Sequence, residues 1–302
     1  MMVFLVIFIL IIFLVTPTTV FAAEPTVNLG TTASFAVLAG TTITNTGPTT
    51  IGGSVGGNIG VSPETSVTGF PPGTESDGTI YIADATALQA QVDLVTAYND
   101  AASRAVTADL TGQDLGGLTL TTGVYSFSSS AQLTGTLTLD GQGDPEAVFI
   151  FQISSTLTTA SSSVVSLVNG ARFCRVFWQV GSSATLGTNT AFVGHIFALT
   201  SIAAQTGTTV QGQLLARNGA VTLDSNTINN GVCAAVPTPA PTTAATTAAT
   251  SVATTAATTA ATTTNNDELP QTGESANYII YGIILLSLAG SFAFFIRRRQ
   301  AH

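Results

Sequence analysis

The chain has 302 residues and a mass of 30.6 kDa; 8% of them are charged, 45% are apolar, and the formal net charge is −9. All seven basic residues are arginine, and three of these close the C-terminus, so the sequence holds no basic surface for neutralising nucleic-acid phosphates. Two cysteines and two histidines are too few for a protein-built zinc or iron–sulfur centre, and the apolar share is too high for an acidic disordered chain.

Residues 3–15 form an unbroken apolar run, and Val20 and Ala22 are small enough to precede a secretory cleavage before Ala23. Residues 1–22 are therefore expected to be a signal peptide. The run has no Arg or Lys ahead of it, which leaves an uncleaved anchor as the alternative. Residues 23–235 are expected to form one exported β-rich head.

Within the head, residues 84–105 depart from the β pattern. Leu88, Val92, Val95, Tyr98 and Ala102 recur at helical spacing, and Asp84 precedes them as an N-cap. A helix of about 20 residues is about 30 Å long, the height of roughly six strands stacked at 4.8 Å. The spacing predicts a helix lying along a stack of coils and burying that stripe.

The stack itself is legible as a repeat. Thr185-Leu186-Gly187-Thr188-Asn189-Thr190 aligns with Ala203-Ala204-Gln205-Thr206-Gly207-Thr208 after 18 residues. It aligns with Thr222-Leu223-Asp224-Ser225-Asn226-Thr227 after 19 more. Behind the first two, Gly194 matches Gly212 and His195 matches Gln213; Thr156-Leu157-Thr158-Thr159-Ala160-Ser161 is a more distant copy. Short β-prone runs at this period predict a parallel β-solenoid with three short faces per coil. A narrow coil interior suits Val, Ile, Leu, Ala and small polar residues. Trp178 is expected in the core, His195 on a solvent-facing strand, and Asp140, Asp144 and Glu146 in a polar turn rather than a calcium loop. Cys174 and Cys233 are an even pair in an exported chain, which predicts a disulfide closing the C-terminal coils. No metal or cofactor is expected.

Beyond the head, residues 236–268 are a Pro-flanked tract built on Thr-Thr-Ala-Ala. It has almost nothing to bury and reads as a disordered stalk reaching up to roughly 90 Å. Leu269-Pro270-Gln271-Thr272-Gly273 follows, then an apolar run over 278–296 and a basic tail over 297–302. Nineteen helical residues span about 28 Å, enough for a bilayer core, and the arginines hold that end in the cytoplasm. The ensemble resembles a Gram-positive sortase sorting signal. The resemblance implies cleavage between Thr272 and Gly273 and attachment of Thr272 to peptidoglycan. Sortase and peptidoglycan are thus expected partners, and only the C-terminal segment meets the membrane.

Most of the head carries a second resemblance. The residues are Val27-Asn28-Leu29-Gly30 with Ser34-Phe35-Ala36-Val37-Leu38, Gly69-Phe70-Pro71-Pro72-Gly73, and Ala97-Tyr98-Asn99-Asp100-Ala101. Gly123-Val124-Tyr125, Leu133-Thr134-Gly135-Thr136-Leu137 and Phe149-Ile150-Phe151-Gln152 continue the series. Val176-Phe177-Trp178-Gln179-Val180-Gly181-Ser182 and Gly219-Ala220-Val221-Thr222-Leu223-Asp224 complete it. Together they resemble the ice-binding protein family. The resemblance implies a mainly β fold: a right-handed, discontinuous, parallel β-solenoid of triangular section with one long α-helix packed along it. N-terminal residues would supply coils at one end, and the chain would resume after the helix. The head is expected to be a monomer and not an enzyme, with an ice crystal surface as its ligand.

An ice-binding surface has to be flat, regular and nearly uncharged. Threonine fills 52 positions, and lysine is absent. Stacked strands repeat every 4.8 Å or so, and residues i and i+2 lie about 6.7 Å apart. The candidates for such a grid are Thr159, Ser161, Thr188, Thr190, Thr206, Thr208, Thr209, Ser225 and Thr227. Strand parity opposes part of this set: with Leu186 inward and no bend at Gly187, Thr188 and Thr190 also point inward as an internal hydroxyl ladder. Some relatives carry Thr-Ala/Gly-x-Thr/Asn on the ice face; Thr206-Gly207-Thr208-Thr209 fits it and Thr188-Asn189-Thr190-Ala191 does not. Two other readings stay open. One is a wall-anchored adhesin for a polysaccharide or other surface, which would favour aromatic platforms. The other is a β-helical polysaccharide hydrolase, which would need a charged groove.

Overall fold

A computed structural model describes residues 24–54, 56–231 and 233. The expected signal peptide, stalk, sorting motif, membrane span and basic tail lie outside these residues. Among the described residues no helix is long and apolar enough to cross a membrane.

The N-terminal strands are β1 (Phe35–Ala39), β2 (Thr42–Thr46), β3 (Thr50–Gly52), β4 (Asn58–Val61), β5 (Ser66–Thr68), β6 (Thr74–Glu75) and β7 (Ile80–Ile82). The helix α1 (Ala85–Ser103) follows. The chain resumes with β8 (Ala108–Asp109), β9 (Thr119–Leu120), β10 (Gly123–Phe127), β11 (Ala131–Leu133), β12 (Thr136–Asp140), β13 (Phe149–Ile153), β14 (Leu157–Thr159) and β15 (Val164–Val168). It ends with β16 (Val176–Val180), β17 (Ala184–Leu186), β18 (Ala191–Ala198), β19 (Ile202–Ala204), β20 (Thr209–Ala216), β21 (Val221–Asp224) and β22 (Thr227–Asn229).

Pairing between these strands is parallel, and they build the three faces of a solenoid. The helix face runs β8-β10-β13-β16-β18-β20-β1-β4-β7. The seven-stranded face runs β11-β14-β17-β19-β21-β2-β5. The third face runs β9-β12-β15-β18-β20-β22-β3-β6. β18 and β20 serve two faces because each turns a corner at a glycine, Gly194 (φ +110°) and Gly212 (φ +143°). The coils touch there: a Cβ on Gly212 would lie 2.0 Å from the Gly194 carbonyl oxygen. Only glycine permits both the dihedral and the approach.

The stack is discontinuous in sequence. β1, β2 and β3 form the first coil and sit directly on the last one, pairing with β20, β21 and β22. The chain builds outward to β7, returns along the helix face as α1, and fills the other end from β8 back to the middle. Asp84 caps the helix as expected, its Oδ1 accepting from the Ala87 amide at 2.8 Å. Gln152 closes the other end, donating through Nε2 to the Ala101 and Arg104 carbonyls at 2.8 and 2.9 Å.

The buried stripe of α1 differs from the expected one. Ala87, Ala90, Leu94, Ala97, Tyr98 and Ala101 are buried, whereas Leu88 and Val92 are 55% and 53% exposed and Ala102 is exposed. Of the expected stripe only Tyr98 is buried; Val95 is half-buried. The reason is volume. The helix face already presents Phe35, Ile150, Phe177, Phe197 and Leu215 outward, so the helix approaches with alanines, and bulk hydrophobicity is a poor guide to its inner side.

Inside the coils, Leu, Ile, Val and Ala dominate, but the interior is less narrow than the composition suggests. Tyr125, Phe151, Trp178 and Phe192 stack through successive coils, with ring centroids 5.6, 3.9 and 5.1 Å apart. Trp178 is fully buried, and its Nε1 donates to the Val193 carbonyl at 3.0 Å.

Candidate functional site

Of the three faces, the helix face is covered by α1. The seven-stranded face is open, and its parity is set by its inward residues. Ala131 and Leu133, Leu157 and Thr159, Ala184 and Leu186, Ile202 and Ala204, and Val221 and Leu223 are all buried. The residue between each pair points outward. Those residues stand in register as one row: Gln132, Thr158, Thr185, Ala203, Thr222, Thr44 and Thr68.

A second row lies two residues earlier on each coil: Ser130, Thr156, Ser183, Ser201, Ala220, Thr42 and Ser66. Thr42 pairs with Ser66, the Thr156 hydroxyl donates to Ser130 Oγ at 2.8 Å, and Ser183 and Ser201 hydroxyls accept the Ser201 and Ala220 amides at 3.3 and 3.2 Å. Neither row contains a charged or an aromatic residue. Seven coils at about 4.8 Å make each row roughly 29 Å long, and the rows are about 6.7 Å apart.

A third row occupies the turns that leave this face, where the Asn189, Gly207 and Ser225 amides donate to the Thr206, Asp224 and Thr46 carbonyls of the next coil. The carboxylate of Asp224 is held there: it accepts the Thr206 hydroxyl and, at 3.0 Å, the Ser225 hydroxyl.

The nine threonines and serines proposed from sequence separate into three places. Thr159, Thr190 and Thr208 are buried and cannot meet an external surface. Thr159 and Thr190 hydroxyls lie 2.9 Å apart, the Gly187 amide donates to Thr159 Oγ1 at 2.8 Å, and Thr208 Oγ1 donates to the Gly187 carbonyl at 3.0 Å. They form an internal hydroxyl ladder and satisfy turn amides and carbonyls that water cannot reach. Ser161, Thr188, Thr206 and Ser225 belong to the turns beside the seven-stranded face. Thr209 and Thr227 are on the third face, in register with Thr50 and Thr74.

The outward row Thr158, Thr185, Thr222 and Thr44 was not among those candidates. Its signal was present: alternation with the buried Leu157, Leu186 and Leu223 turns the adjacent threonine outward in three repeats. Thr206-Gly207-Thr208-Thr209, the match to the relatives' motif, instead crosses a corner and has one buried member.

His195 is also corrected. It pairs with Gln213 as aligned, but it is buried against Phe173 and Phe177 rather than facing solvent. The short turn Phe173–Arg175 folds over this part of the helix face. Burial lowers the imidazole pKa from 6.5 to about 4, with the Gln213 carboxamide opposing. The fold therefore holds a neutral imidazole, while the unfolded chain gains a proton below about pH 6.5. Stability is complete above that pH and falls by about 3 kcal/mol as pH drops through 4. Urea unfolding between pH 7.5 and 4 is expected to show this slope, and His195→Gln to flatten it; an unchanged slope in the variant would assign the acid sensitivity elsewhere.

The acidic segment at 140–146 is a polar turn. Asp140 and Asp144 accept the Gln142 and Glu146 amides at 2.8 Å, and Glu146 pairs with Arg172 and Arg175. Among the described residues no cluster of His, Cys, Asp or Glu could hold a metal ion. Cys174 and Cys233 are bonded, with Cα atoms 5.7 Å apart.

Comparison with known proteins adds to this geometry. Residues 37–229 match the family described as Ice-binding-like, and residues 261–301 match the LPXTG cell wall anchor motif. An ice-binding protein of Nostoc sp. (strain HG1) is 57% identical over 218 residues, covering 70% of this chain and 79% of its own. An ice-binding protein of Colwellia sp. is 40% identical over 226 residues, covering 70% and 86%. A solved ice-binding protein from an Antarctic biological consortium aligns with TM-score 0.66 and 47% identity, covering 71% of this chain and 95% of that one. The ice-binding domain of Shewanella frigidimarina aligns with TM-score 0.62 and 32% identity, covering 69% and 98%.

Proposed function

The chain belongs to the ice-binding-like family, and from that premise we propose that its head adsorbs to ice through the seven-stranded face. The observation that carries this is the in-register row of Thr158, Thr185, Ala203, Thr222, Thr44 and Thr68, backed by a second uncharged row. Threonine suits the task twice over. Its hydroxyl anchors a water, and its methyl holds neighbouring waters in a cage without competing for them; Ala203 keeps the methyl alone. No water-structuring charge interrupts the two rows. Adsorbed heads then force the ice front to curve between them, which opposes growth.

A polysaccharide adhesin on the same scaffold has less support, because neither row offers an aromatic ring on which a sugar could stack.

The location of the head follows from the C-terminal sequence. Leu269, Pro270, Gln271, Thr272 and Gly273 fall within the matched anchor segment. Sortase would cleave after Thr272 and join it to peptidoglycan, after export directed by residues 1–22, with residues 278–296 holding the precursor in the membrane. The head would act as a monomer on the stalk.

Purified residues 23–235 are expected to facet growing ice crystals and to inhibit recrystallisation in the nanolitre crystal-growth assay. Rounded, freely growing crystals at high protein concentration would sink this reading. The buried apolar core runs from Val27 to Ile228, so this fragment keeps it whole.

A further inference from the structure

The C-terminal strand of this head is in the middle of the stack. β22 lies between β20 and β3, where the last coil meets the first. It is three residues long. Asn230, just beyond it, is buried and ties the same junction: its amide donates to the Gly52 carbonyl at 2.9 Å, and its Nδ2 donates to the Ala33 carbonyl at 2.9 Å. Any tension arriving from the C-terminus would thus pull on the joint between the two sequence-separated halves. It would act at the end of a short strand, where bonds open one at a time.

The disulfide changes where that tension enters. Cys233 comes three residues after Asn230 and is bonded to Cys174, on the turn directly before β16. β16 is five residues long and is paired along its length with β13. It also carries Trp178 in the stacked aromatic column and Phe177 under the helix. Arg175, beside Cys174, is paired with Glu146. The bond lies next to Gln211 of the third face and Phe173, which packs on His195 of the helix face. It therefore sits at the edge shared by those two faces, the corner of the triangle opposite the seven-stranded face.

We infer that the Cys174–Cys233 bond is a load clamp: it carries tension from the wall-linked C-terminus into the turn between β15 and β16 and bypasses β22. This rests on the reading that the chain is anchored through its C-terminal sorting signal; it does not depend on what the head binds. The polypeptide between Cys174 and Cys233 spans 59 positions. While the bond holds, none of it can add length under tension, because the load passes through the two sulfurs. Local opening of nearest-neighbour coils is governed by the interface at which load arrives.

The test is single-molecule pulling of residues 23–268 between the N-terminus and the stalk, oxidised and after reduction of the folded protein. The clamp predicts that reduction adds an early event at about half the first rupture force or less, because forced opening follows the weakest loaded interface. The Cys174→Ser/Cys233→Ser variant is expected to repeat that early event. Identical first-rupture forces in the oxidised and reduced protein would overturn the inference. So would loss of the folded circular-dichroism spectrum on reduction without load, which would make the bond a folding staple instead. Ice shaping by the same samples, measured in parallel, bears on the seven-stranded face alone.

Discussion

Changing Thr185 and Thr222 together to tyrosine is expected to lower ice-shaping and recrystallisation-inhibition activity at least about tenfold, as loss of a central contact patch does in other interfaces. The two residues flank Ala203 in the outward row, so two phenol rings would raise the middle of the surface and hold an ice plane off both rows. Tyrosine is at home on a strand exterior, so the fold is expected to survive, as an unchanged melting temperature would report. The matching change of Thr209 and Thr227 to tyrosine is expected to leave activity within about twofold, since the proposed contact surface is the seven-stranded face. The second pair is a demanding control: it is just as Thr-rich in sequence and continues in register to Thr50 and Thr74. If the third-face pair abolished shaping and the seven-stranded pair did not, the face assignment would be reversed.

Trp178→Ala is expected to destabilise the head by about 3–5 kcal/mol. The indole is fully buried between Phe151 and Phe192, so its removal leaves a cavity in the middle of the column and strips the Val193 carbonyl of its donor. For a domain of this size that is a fall in melting temperature of about 10 °C or more. Leu88→Ala, on the outer side of the helix, is expected to cost no more than about 0.5 kcal/mol, although the sequence pattern alone gives Leu88 an inward role. Urea unfolding of both variants checks the pair; a Leu88 variant weaker than the Trp178 variant would mean the helix packs through its other side.

These two comparisons mark what could and could not be read along the chain. The helix was legible because its period interrupts the coils and Asp84 supplies the cap. Its inner side was not, because the sheet beneath contributes the bulk and α1 answers with Ala90, Ala97 and Ala101. The repeat fixed the alignment of His195 with Gln213, and that register holds. It could not reveal that the turn Phe173–Arg175 covers His195, since covering is a matter of distant chain segments.

The threonines make the same point at the functional surface. Parity along a strand is a local property, so alternation with Leu186 and Leu223 already turns Thr185 and Thr222 outward. Parity does not survive a corner. The turn at Gly187 to Thr190 resets it, and Thr190 emerges inside while Thr188 stays on the turn. Local sequence therefore determined the coil period, the capped helix and the C-terminal anchor motif. Which residues share one plane was decided by tertiary structure alone. Rows form between coils 18 or more residues apart, and the continuation of the row from Thr222 to Thr44 joins positions at opposite ends of the head, because the last coil is laid on the first. Hydrogen-bonded register across that junction aligns the threonines, and no repeat read along the chain contains it.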